Sequence, residues 1–247
     1  MYMSVVASRP CLPVYPELAG ARVLLTGLTS AIGVDIARAF ADHKARLVVQ
    51  SPDNSPAMTE LVAVLAETAA EIRLFNDPLA DASEAMRLAQ TAAQEMGGLD
   101  LVINLVAIDE DAVAPDAPLA EVEAAVSDAL LGAVLATRVA ANRMRLTWCQ
   151  GAILNVVALP QGAKGHVAAM ADIAYATLGA VTRGEAKEWA EHGIRINGAA
   201  PRRNAEQRCN AAEADMAALA LYLASRKGRG LSGHLFDADG IAAARCA

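Results

Sequence analysis

Thr26, Gly27 and Gly33 stand where a short apolar run gives way to a helical pattern, and their spacing is the strongest chemical signal in the chain. Residues 21–25 (ARVLL) read as a strand. From Ile32 onward the apolar positions Ile32, Ile36, Ala37 and Phe40 recur at helical spacing. A strand that ends in a glycine turn and feeds a helix N-terminus aims free backbone N–H groups at whatever lies above the turn. Such a turn suits an anion, in particular the pyrophosphate of a dinucleotide. Other chemistries find little support. Cys11, Cys149, Cys209 and Cys246 have neither paired nor metal-like spacing, and the four histidines are equally dispersed. This pattern predicts no metal site and a reduced, cytoplasmic compartment. The formal net charge of −7 disfavours nucleic acid as a partner.

The elements that must hold this turn follow from hydrophobic period. At 247 residues, 55% hydrophobic and 20% charged, the chain suffices for one sizeable core. Further strands are predicted over 45–50, 71–76, 99–108, 151–159, 193–200 and 233–237. Helices are predicted over 58–70, 82–96, 120–148, 168–191 and 211–225. Strands alternating with helices at this spacing make βαβ units, and right-handed crossovers make the sheet parallel. The expected fold class is therefore α/β, a single doubly wound parallel sheet of about seven strands with helices on both faces. Residues 1–17 read as a Pro-containing N-terminal extension without a signal-peptide pattern, and residues 18–247 as the domain. No run of 18 or more uncharged apolar residues predicts a membrane span.

The turn T-G-L-T-S-A-I-G (residues 26–33) resembles the T-G-x-x-x-G-x-G of the short-chain dehydrogenase/reductase family, whose fold is Rossmann-like. Ala31 replaces the middle glycine and places a methyl group where the family's backbone approaches phosphate, at a cost of about 1 kcal/mol if φ there is positive. The resemblance continues in order along the chain, through residues 186–201 (AKEWAEHGIRINGAAP) and 219–240. It implies cofactor contacts at Thr26, Gly27, Ile32, Gly33, at Asp77 near the adenine, and at Asn104, the first residue of the family's N-N-A-G. At the positions that select NAD or NADP stand Ser51 and Pro52, which favour neither, so binding of NAD or NADP is expected to be weak or absent.

The same resemblance exposes a catalytic deficit. The family uses a tyrosine as general acid or base, a lysine four residues on that lowers its pKa, a serine that polarises the carbonyl, and an asparagine that supports a proton relay. Tyr175 is present, but Gly179 replaces the lysine, Ala158 the serine and Ala129 the asparagine. No serine occurs between Ser127 and Ser225 to restore the third. An unassisted phenol titrates near pH 10 and yields little phenolate at neutral pH. The family's substrate lid is also missing, since residues 202–211 alone separate Pro201 from the last helix.

By contrast, the elements through which the family assembles into tetramers look intact. The tyrosine helix carries Ala171, Ala174, Ala176, Gly179, Ala180 and Gly184, which either admit a neighbouring helix or pack on their own sheet. The expectation is a non-catalytic structural subunit of a hetero-oligomeric dehydrogenase, partnered with an active paralogue. It resembles the inactive halves of two-subunit hydroxyacyl-CoA-type dehydrogenases of aromatic degradation. Two alternatives are an active NAD(P)H-dependent oxidoreductase in which Tyr175 works with Lys164 or His166, and a dinucleotide-binding sensor without chemistry.

Overall fold

Parallel strands covered on both faces are largely apolar, and the apolar runs of this chain become the central strands of the sheet. The computed structural model describes residues 12–30, 33–77, 79, 82–107, 118–158, 166–199 and 213–236. In chain order the elements are β1 (Arg22–Thr26), α1 (Val34–Asp42), β2 (Arg46–Gln50), α2 (Pro56–Ala66), β3 (Glu71–Phe75), α3 (Ala82–Met96) and β4 (Leu101–Ala107). There follow α4 (Leu119–Leu146), β5 (Ala152–Ala158), α5 (His166–Trp189), β6 (Arg195–Ala199), α6 (Glu213–Ala224) and β7 (Leu235–Phe236). All seven strands join one parallel sheet in the order β3-β2-β1-β4-β5-β6-β7. The chain reverses its direction of travel across the sheet between β1 and β4. In such doubly wound, Rossmann-like sheets that reversal opens a crevice at the carboxyl ends of the strands.

The strand and helix expectations hold, with differences at the ends. The helix expected over 58–70 is Pro56–Ala66, because Ser55 caps it: Met58 N–H donates to Ser55 Oγ at 3.2 Å, and Pro56 opens the first turn. The last strand, expected over 233–237, is the short Leu235–Phe236. Gly233 takes φ +81° and gives its N–H to Ile196 O in a turn instead. Among the described residues no helix is long and apolar enough to cross a membrane.

Successive strand residues face opposite layers. Leu25, Leu47, Ile103 and Leu154 bury against Ile36 and Phe40 of α1, Leu61 and Leu65 of α2, and Met216 and Leu223 of α6. Leu24, Val48, Val102 and Ile153 bury against Leu88 and Ala92 of α3 and Ala140 and Met144 of α4. Ahead of β1, Tyr15 and Leu18 join the first cluster. His43 fastens that segment, accepting Tyr15 N–H at Nε2 (3.1 Å) while Nδ1 meets Ala39 O (2.6 Å). On the outer strands, α5 lies close over β6 because Gly198 has no side chain. A Cβ there would stand 2.9 Å from both Leu235 Cδ1 and Thr182 Oγ1.

One polar cluster interrupts the apolar centre. Thr26 Oγ1 donates to Asn104 Oδ1 (3.0 Å), Asn104 Nδ2 donates to Asn155 Oδ1 (2.7 Å), and Thr137 Oγ1 donates to the same Asn155 oxygen (2.9 Å). All four residues are buried. A buried amide or hydroxyl without a partner costs about 1–3 kcal/mol, so the four hold β1, β4, β5 and α4 together by satisfying one another.

Two stability predictions follow. Asn155→Ala leaves the Asn104 amide and the Thr137 hydroxyl without their common acceptor and is expected to destabilise by about 3 kcal/mol in urea unfolding. Exposed Asn142→Ala is expected to stay within about 0.5 kcal/mol of the parent. Gly27→Ala meets two obstacles, a φ of +74° and a collision of the new Cβ with the Leu105 carbonyl oxygen. Its expected cost is also about 3 kcal/mol, read as a fall in the unfolding midpoint.

Candidate functional site

The crevice between β1 and β4 is bordered by the glycine turn, and the turn's shape comes from β4. Gly27 and Gly33 adopt φ of +74° and +83°, a region glycine enters without strain. Both press on Leu105: a Cβ at Gly27 would strike its carbonyl oxygen, and one at Gly33 would strike its side chain. Gly33 is the N-cap of α1 and has no side chain of its own to cap the helix. Backbone of this shape fits the pyrophosphate of a dinucleotide.

The adenosine side of the crevice is built differently. Its walls are the glycine turn and the segment after β2. Ser51, at the position expected to select the cofactor, is fully buried; its hydroxyl donates to Asp53 O (3.3 Å) and accepts Asp53 N–H (3.0 Å). The residues that reach across are its neighbours, Gln50 and Asp53. Gln50 Oε1 accepts Gly27 N–H at 2.8 Å, and Gln50 Nε2 donates to Asp77 O at 2.9 Å. Asp53 Oδ2 accepts both the N–H (3.0 Å) and the hydroxyl (2.8 Å) of Ser30, and Oδ1 accepts Ser55 N–H at 2.8 Å. The Ser30 backbone bond, the Ser55 and Ser30 side chains and the Ser55 N–H hold this carboxyl well below the usual carboxylate range. The rim donors of the adenosine end are thus already bonded to the chain's own side chains.

The predicted site residues divide into three groups. Thr26 and Asn104 are buried and hydrogen-bonded to each other rather than open to the crevice. Gly27, Gly33 and Asp77 lie on its border. The Asp77 carboxylate is exposed, 3.7 Å from Arg87, and its contribution to the crevice is the carbonyl that Gln50 holds. Tyr175 lies on α5, half-buried, with Ala129 on α4 and Ala158 closing β5. Ile32, Ala31, Lys164 and residues 202–211 lie outside the described residues, and His166 opens α5.

One turn beyond Tyr175, Gly179 is buried, and a side chain there would crowd its neighbours. A Cβ would meet Leu235 Cδ2 at 3.1 Å and the Arg183 guanidinium at 3.4 Å. The small residues of α5 split between its two faces: Ala174 and Gly179 face the sheet, whereas Ala176, Ala180 and Gly184 are exposed. Among the described residues no group of three His, Cys, Asp or Glu side chains could hold a metal ion. Sequence reading missed Gln50 and Asp53. The only signal for Asp53 is its place two residues before the Ser55 cap, a pattern that marks a turn rather than a partner 23 residues away.

Comparison with known proteins agrees with this architecture. The family model described as short chain dehydrogenase matches residues 21–208. An uncharacterised oxidoreductase of Mycobacterium tuberculosis is 34% identical over 184 residues, covering 72% of this chain and 66% of the relative; the chain thus spans just under two thirds of that protein's length. D-threitol dehydrogenase of Mycolicibacterium smegmatis is 31% identical over 191 residues, 75% of this chain and 70% of that one. Among solved structures, a short chain dehydrogenase from Mycobacterium avium matches with a TM-score of 0.72 at 26% identity, covering 89% of this chain and 82% of that one. Another from Mycobacterium smegmatis gives 0.76 at 21% identity, covering 93% and 96%, a likeness of fold alone. With its strand order, its glycine turn and these relatives taken together, the chain belongs to the short chain dehydrogenase family.

Proposed function

We propose that this chain is a non-catalytic member of its family that serves as the structural subunit of a mixed oxidoreductase assembly, beside an active paralogue. The observation that carries the reading is at Gly179. The residue one turn from Tyr175 has no side chain, and Leu235 Cδ2 stands 3.1 Å from where one would begin. Gly179 and Ala158 stand where the family carries its lysine and serine, and neither supplies an ammonium or a hydroxyl group for general acid–base chemistry.

Assembly is supported by the outer faces of the helices. Ile173 on α5 is 53% exposed and Leu131 on α4 is 57% exposed. On α5, Ile173 continues into the exposed small residues Ala176, Ala180 and Gly184 at helical spacing. A stripe of small side chains beginning in an exposed isoleucine suits close packing by a partner helix.

A second reading rests on one contact. Arg183 lies two turns beyond Tyr175, but its guanidinium reaches back to 3.4 Å from the Gly179 Cβ position, where in an active enzyme it would take the place of the lysine. Substitution of Tyr175 separates the two. In the mixed assembly, Tyr175→Phe is expected to leave turnover unchanged. A fall of about 100-fold or more, the usual effect of removing a general acid or base, would establish catalysis by this chain. Gel filtration with multi-angle scattering supplies the other half of the test. Co-expressed with the paralogue, the chain is expected in mixed particles, and a stable homo-oligomer that ignores the paralogue counts against the structural role.

A further inference from the structure

We infer that the adenosine end of the crevice is closed by the chain's own side chains. Gln50 and Asp53 occupy the hydrogen-bonding groups a dinucleotide would use there, and a nucleotide enters only by displacing them. This goes beyond the reading above, because it concerns admission of a ligand and holds whether or not the chain turns over.

The glycine turn presents the N–H of Gly27 and the N–H and hydroxyl of Ser30, while the ends of β2 and β3 face it across the gap. Donors on the rim of an empty crevice would otherwise turn to water. Here each has a side-chain acceptor from the opposite wall: Gln50 Oε1 for Gly27, and Asp53 Oδ2 for both groups of Ser30. Gln50 is 3% exposed and spans the gap in full, since its amide nitrogen also holds the Asp77 carbonyl at 2.9 Å. The two side chains thus tie the turn after β1 to the segments that follow β2 and β3, beside the backbone bond from Leu28 N–H to Gln50 O at 3.2 Å.

Their electrostatics favour the closed form. Three hydrogen bonds to one carboxylate keep Asp53 ionised at neutral pH, so it remains a strong acceptor and repels the phosphates of an incoming nucleotide. A free acidic residue after the second strand of a Rossmann sheet can grip ribose hydroxyls. Asp53 has committed one oxygen to Ser30 and the other to Ser55. A ribose hydroxyl would have to win an oxygen from a partner already in place.

Calorimetric titration of the intact protein with NADH and with NADPH tests this. The parent protein is expected to give no saturable heat with either up to about 1 mM. The double variant Gln50→Ala with Asp53→Ala is expected to bind NADH at least tenfold more tightly than the parent. Ser30→Ala loosens the same closure from the opposite wall without touching β2; it is expected to move affinity in the same direction, which guards against a double variant that fails to fold. Micromolar binding by the parent overturns the inference. So does weaker binding on Asp53→Ala, which would make Asp53 a ribose ligand. Absence of binding in both the folded double variant and Ser30→Ala overturns it as well.

Discussion

At the middle of the sheet one carboxamide oxygen, Oδ1 of Asn155, accepts from both Asn104 and Thr137, and the location of the crevice follows from that convergence. Asn104 pairs with Asn155 in the strand register and Thr26 pairs with Asn104, so three neighbouring strands place their polar side chains at one height. A slip of one residue would turn each of these side chains to the opposite layer and strand buried amides among leucines. The network therefore fixes how far β1 runs before it turns. It sets Gly27 against Leu105, and the turn inherits its shape from that contact.

This dependence accounts for two residues of the family pattern. Thr26 and Asn104 have work to do inside the protein whether or not a ligand is bound, because each satisfies the other's buried polar group. Gln50 and Asp53 belong with them, since they complete hydrogen bonds of the turn from within.

Much of the architecture was readable from the sequence because parallel strands buried on both faces leave nearly continuous apolar runs, as in LVINLVA of β4 and AILNVVA of β5, each interrupted by one asparagine. The glycine turn was readable for a similar reason, as positive φ at Gly27 and Gly33 demands a particular residue type. The Asp53–Ser30 bond was not. It joins residues 23 apart through ordinary polar side chains, and neither position carries a period, a propensity or a conformational demand that names its partner. The small residues of α5 were visible as a set, but their division between inner and outer faces depends on the rotation of the helix about its axis. That rotation is settled by Gly179 and Gly198 meeting Leu235, contacts far apart in the chain.

The close seat of α5 on β6 has a mechanical consequence. Because Gly198 lets Thr182 of the helix come down onto the strand beside Leu235 of β7, the helix acts as a rigid shim whose two faces cannot move independently. Enlarging a residue on the inner face would raise the outer row of Ala176, Ala180 and Gly184 with it. The height at which a neighbouring molecule could rest on this helix is thus set from beneath, by two glycines that no neighbour would ever touch.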